Sequence, residues 1–219
     1  MHRLIAASLL WAGAVSAAEV PCDNAIVTAE AESPELATRI CAASDAALAH
    51  FASCALPEPK PVRILALNAF ERECVGLFHC GEGLIEVLAP DAMEARRNLF
   101  GIFQHVPMER FFESVVLHEM SHAVFDGTPC AFAHCVASTE FFAYTQQIAA
   151  LSDEDRAPIE ALAQDMPARK DVLNVFVLYM APDKFALEAW TYLNAEPDRC
   201  TFWQEMLTGE VHFDRALPR

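Results

Sequence analysis

The chain has 219 residues, of which 54% are hydrophobic, and carries 15 Lys and Arg against 31 Asp and Glu. A formal charge of −16 repels phosphate backbones and anionic lipid heads, which argues against nucleic acid as a partner. There is no internal repeat and no low-complexity linker, and roughly 200 residues past the leader suit one domain with a good-sized core.

The first stretch reads as a signal peptide. His2 and Arg3 give a polar start, Leu4 to Val15 is apolar, and Val15-Ser16-Ala17 is a small-residue cleavage pattern. The apolar run is too short to span a bilayer, and no later run is long enough, so no membrane span is expected. The expected plan is therefore a leader over 1–17 and a single domain over 18–219, exported to the periplasm or secreted. Eight cysteines fit that destination, since an oxidising compartment pairs them. The expected pairs are Cys74–Cys80, Cys130–Cys135, Cys41–Cys54 and Cys22–Cys200. The competing use is metal binding by Cys130, His134 and Cys135 or by Cys74, His79 and Cys80, but neither group has a C-x-x-C spacing.

Ser33 opens a helical pattern carried by Leu36, Ile40, Ala47, Leu48 and Phe51, which ends near Ala55 before Pro57. Pro61 to Leu67, Gly76 to Phe78 and Leu84 to Leu88 read as strands, the last two joined at Gly81-Glu82-Gly83. Asp91 is expected to cap a short helix to Arg97, and Asn98 to Val106 has no clear period. Pro107 to Phe125 and Ala137 to Ala150 read as helices. Ser152 caps a further helix whose first turn is Asp153-Glu154-Asp155, where acids suit the dipole; no EF-hand spacing supports a calcium site there. Asp171 to Met180, Lys184 to Asn194 and Asp198 to Leu207 read as three more helices. The fold class expected is α+β, mainly α, with a small sheet before the helix 107–125 and a helical C-terminal half.

That helix carries His118-Glu119-Met120-Ser121-His122. Residues four apart stack on one helical face, so His118 and His122 can offer two imidazole nitrogens to one ion. Glu119 points about 100° away and suits a general base acting on a water at the ion's open position. Phe111 and Val115 continue the His stripe, and the helix is apolar on most of its surface, hence buried. Buried histidines and acids need partners. Glu140 is an acid in an otherwise apolar stretch and is the candidate third ligand, since catalytic zinc takes three protein ligands and leaves one position open.

His118 to Asp126, with its Ala123-Val124 and the following acid, resembles the active-site helix of thermolysin-like zinc metallopeptidases. A Glu on a second helix, 18 residues after the second His, resembles the gluzincin arrangement. The resemblance covers about residues 107 to 150 and is nearest to reduced, single-domain gluzincins. It implies a zincin-like catalytic domain with one Zn2+ held by His118, His122 and Glu140, and Glu119 as the catalytic acid/base of a zinc metalloendopeptidase. It also implies an edge strand that binds substrate backbone, for which Leu84 to Leu88 is the candidate. The family often places an Asp four residues after the ligand Glu to orient the first His. This chain has Tyr144 there, so that role falls to Tyr144, to Asp126 or to a residue not identified from sequence. The oxyanion needs a further donor, for which Tyr179, Tyr192, His212 and His134 are candidates. The expected partner is a peptide or protein substrate, and the expected state a monomer. Two other readings stay open: a zinc-binding protein with weak or no turnover that serves in binding or sensing, and a disulfide-stapled helical binding module.

Overall fold

A computed structural model describes residues 18–96, 101–132 and 134–214. The leader expected over 1–17 lies outside the described residues. The fold is α+β, 55% helical, and among the described residues all five strands precede the six helices that complete the chain.

The chain opens with β1 (Ala18–Pro21) and β2 (Val27–Ala31), an antiparallel pair. Asn24 shapes their turn, its Oδ1 accepting from the amides of Ile26 and Val27 at 2.9 Å each. Neither strand is foreseen above, because short segments such as Val-Thr-Ala-Glu-Ala show too little alternation to stand out. Helix α1 (Pro34–Ser53) follows; Ser33 Oγ accepts from the Leu36 amide at 3.2 Å, and Pro34 occupies the first turn, where no amide is needed. The chain then returns as β3 (Val62–Leu67), parallel to β2. Strands β4 (Gly76–His79) and β5 (Leu84–Leu88) form an antiparallel hairpin whose second strand pairs in parallel with β3. The sheet order is β1-β2-β3-β5-β4. Leu84 to Leu88 is thus an inner strand, and the free edge beside the later helices belongs to β4. That corrects the sequence expectation: edge position depends on which strands pair over long range, and the hairpin folds β5 inward against β3.

Helix α2 (Pro90–Glu94) has Asp91 inside its first turn rather than at its cap. A 3-10 turn, Gly101–Phe103, is held by Asp183, whose carboxylate accepts from the Gly101 amide at 2.8 Å. Six helices complete the chain: α3 (Met108–Phe125), α4 (Val136–Ala150), α5 (Asp153–Ala163), α6 (Val175–Met180), α7 (Pro182–Ala195) and α8 (Arg199–Thr208). Helices α3 and α4 lie side by side; α1 packs on α3 from one side and α7 on α4 from the other. One continuous apolar core runs from Cys22 through Phe112 and Trp190 to Phe213. Among the described residues no helix is long and apolar enough to cross a membrane.

Three disulfides are present: Cys22–Cys41, Cys54–Cys200 and Cys130–Cys135. Of the four expected pairs only Cys130–Cys135 matches. Cys74 and Cys80 are free thiols. They stand at the two ends of β4, and four extended residues rise about 13 Å, beyond the roughly 7 Å Cα separation that a disulfide can bridge. Cys41 is instead 5.2 Å from Cys22 where α1 crosses the first hairpin, and Cys54 at the end of α1 is 4.9 Å from Cys200 in α8.

Candidate metal centre

Helix α3 presents Phe111, Val115, His118 and His122 as one stripe into a cavity of about 590 Å³. Helix α4 forms the facing wall with Glu140, Tyr144 and Gln147, and β4 closes a third side with Gly76, Leu77 and Phe78. His118 and His122 are each one turn apart, so their rings meet, with Nε2 to Nε2 3.2 Å. The Glu140 carboxylate lies 3.6 Å from His118 Nε2 and 3.7 Å from His122 Nε2. His118, His122 and Glu140 are the one such group among the described residues able to hold a metal ion. The spacing fits an ion in tetrahedral coordination: ligand atoms about 2.0–2.2 Å from the ion stand roughly 3.3–3.6 Å from one another. The two nitrogens, 3.2 Å apart, lie close to that range; the 3.6 and 3.7 Å contacts are made by different carboxylate oxygens, Oε2 and Oε1, and one ligand atom from each residue falls within 4.8 Å of the others.

The tautomer of His118 is set by a hydrogen-bond relay. Ser114 Oγ donates to the Phe111 carbonyl at 2.8 Å and accepts from Gln147 Nε2 at 3.1 Å. That turns the amide so that Gln147 Oε1 accepts from His118 Nδ1 at 3.0 Å. That places the proton on Nδ1 and turns Nε2 toward the cavity, beside His122 Nε2. So Gln147 fills the orienting role that the sequence left among Tyr144, Asp126 and an unplaced residue. Gln147 sits seven residues after Glu140, on the same face of α4, a spacing that two turns of helix make visible only once Glu140 is taken as a ligand. Tyr144 instead lays its ring against His118, centroids 4.7 Å apart. Asp126 lies at the C-terminal cap of α3 and does not line the cavity.

Glu119 points toward the sheet. It is 5% exposed, and a Cβ placed on Gly76 would come within 2.3 Å of its Oε1. Glycine at position 76 is therefore what lets the carboxylate lie against the edge strand. Burial pushes the Glu119 carboxyl up to about 7, against the opposing pull of His118. Burial lowers His122 to about 4, which leaves it neutral and able to ligate. Glu140 is a quarter exposed; burial raises its carboxyl, but His122 and His118 hold it below the ordinary value. Burial, together with Glu140, holds the Tyr144 hydroxyl well above its usual range, so it stays a donor.

Helix α4 is anchored at its start from the far end of the chain. Asp214 accepts from the amides of Ala137 at 2.9 Å and Ser138 at 3.0 Å, and from Ser138 Oγ at 2.6 Å. The carboxylate completes the exposed amides of the first turn and complements the dipole, just ahead of Glu140. The Cys130–Cys135 bond shortens the connection from α3 to the same helix. Of the four donors named from sequence, only His134 lines the cavity. Tyr179 is 73% exposed on α6, Tyr192 packs on Phe141 and Phe213, and His212 packs on Phe132. None of these three reaches the cavity wall.

A family model of unknown function, DUF6639, matches residues 27–216 and so spans every element from β2 to α8. The chain belongs to the DUF6639 family. No curated protein and no solved structure matches it. For this DUF6639 chain, the site geometry therefore carries the functional argument alone.

Proposed function

We propose that this chain is an exported zinc metallopeptidase of gluzincin type with a zincin-like fold. The observation that carries the reading is the convergence of His118 Nε2, His122 Nε2 and the Glu140 carboxylate on one point, with the Glu119 carboxylate in the same cavity. Two imidazoles and one carboxylate are a donor set that suits Zn2+ and leaves it a position open. Bound there, the ion would polarise the scissile carbonyl and acidify water. Glu119 takes the proton from the attacking water as its oxygen bonds to the carbonyl carbon, and returns it to the nitrogen as the C–N bond breaks. A carboxyl raised by burial toward neutrality suits both halves of that exchange. Tyr144 and His134 both line the cavity and are the proposed donors to the oxyanion. An extended chain would lie along β4, which has no strand partner on its outer side. Three disulfides support an oxidising destination.

The test is Glu119→Gln beside wild type, with metal content and peptide cleavage both measured. About one zinc per chain in both, with cleavage in wild type alone, is the expected result. A variant that still cuts ends the proposal. A second reading, a zinc-holding protein with little turnover, is favoured by one observation: a neutral amide, Gln147, stands where a carboxylate would raise the basicity of His118. Zinc in both proteins and cleavage in neither would select it.

A further inference from the structure

One wall of the metal cavity is built by neither helix nor strand. It is the end of the loop from β3 to β4, where Arg72, Glu73, Cys74 and Val75 line the cavity ahead of Gly76. The ladder to β5 reaches it only at Val75, whose carbonyl accepts from the Leu88 amide at 2.8 Å. Arg96, just past α2, supplies a substitute. Its Nη2 donates to the Phe70 carbonyl at 2.7 Å, and its Nη1 donates to the carbonyls of Arg72 and of Cys74, the latter at 3.0 Å. Three alternate carbonyls are thus drawn onto one planar cation. Only arginine offers a rigid fork of donors for this; the lysine ammonium is a point charge on a flexible stem. The wall so fixed leads directly into the residue on which the Glu119 carboxylate lies.

We infer that Arg96 is a positioning residue of the cleft: it holds residues 70–75 as a fixed wall and so sets how tightly an extended chain is gripped beside the metal ligands. The grip rests on the peptidase reading above; the hold on the loop does not. Arg96 touches no reacting atom, so its removal weakens binding more than it slows the chemical step.

The experiment uses the full exported chain, zinc-loaded, as wild type, Arg96→Ala and Arg96→Lys. The first readout is thiol labelling mapped by mass spectrometry. Cys80 is exposed and labels fast in all three, while Cys74 is half-buried and labels slowly in wild type. In Arg96→Ala the Cys74 rate rises at least about tenfold, with Arg96→Lys between, because a mispositioned wall no longer covers the thiol. The second readout is kinetics on a cleaved peptide: KM rises about 10- to 100-fold while kcat stays within about twofold. Zinc content stays that of wild type. Cys74 labelling that stays slow in Arg96→Ala overturns the hold on the loop. Faster labelling with unchanged KM overturns the grip, and so does an equal fall in kcat. If wild type cuts no peptide, the peptidase reading and the grip fall together, and the labelling rates still decide the loop.

Discussion

The two ends of α3 each carry a polar cluster built around a buried group, and the two are paired differently. Near the N-terminus, Arg110 donates to Asp155 through Nε at 2.5 Å and Nη2 at 2.8 Å, and Ser152 Oγ adds a third bond at 3.0 Å. Donors and acceptors match, and the charges cancel. Near the C-terminus, two imidazole nitrogens face one another at 3.2 Å, and a carboxylate stands 3.6 and 3.7 Å away, outside hydrogen-bond range. Two imidazoles and a carboxylate are grouped there without the matched pairing of the first cluster. A cluster that satisfies itself is structural; one that groups two imidazoles and a carboxylate could hold a metal ion. The same physics, the cost of burying unpaired polar groups, yields opposite readings from the count of donors and acceptors.

That contrast can be broken most directly at the metal end. His122→Ala and Glu140→Ala should each abolish stoichiometric zinc, read by elemental analysis. Chelation should destabilise wild type by about 4 kcal/mol if zinc had been at a thousandfold its Kd, or about 8–16 °C in Tm, and leave both variants unmoved. Zinc bound as tightly by the variants would refute the site. Gly76→Ala should then cut peptide turnover about a hundredfold at unchanged zinc content, because the new methyl displaces Glu119. Gln147→Ala should cost about 10- to 100-fold in zinc affinity, measured by competition with a chelator, since His118 loses the acceptor that fixes its tautomer.

The complete cluster should behave differently. Asp155→Asn should leave zinc content alone and cost about 1–2 kcal/mol at neutral pH, allowing for the half-exposed Arg110. Hydrogen bonds from Arg110 hold the Asp155 carboxyl below its ordinary 3.8. A depressed carboxyl stabilises the fold above its unfolded value, so the contribution is full above about pH 5 and is lost as pH falls below 3.8 through the folded value. Denaturation of wild type and variant should therefore converge in that acid window. A gap that persists there would mean that shape, and not charge, distinguishes the two side chains.

The metal end was legible in the sequence because its signal is local. His118 and His122 are one turn apart, and Glu140 is an acid on an apolar helix; each stands out without knowing how helices pack. Gln147 did not stand out, because a glutamine on a helix is ordinary until α3 and α4 are set side by side. Similar reasons explain the other differences. The order that leaves β4 at the edge, the pairing of Cys54 with Cys200 and the reach of Asp214 back to α4 are long-range facts. Sequence separation hides them, and no turn or cap residue announces them. The elements themselves, from the Ser33 cap to α8, carry periodic patterns and were readable to within a few residues.

The Cys54–Cys200 bond joins residues 146 positions apart. It closes a covalent ring that contains β3 to β5 and every helix that lines the metal cavity. A single cut in any exposed loop of that ring therefore opens a circle and releases nothing. A sample nicked there would run as one band until it was reduced.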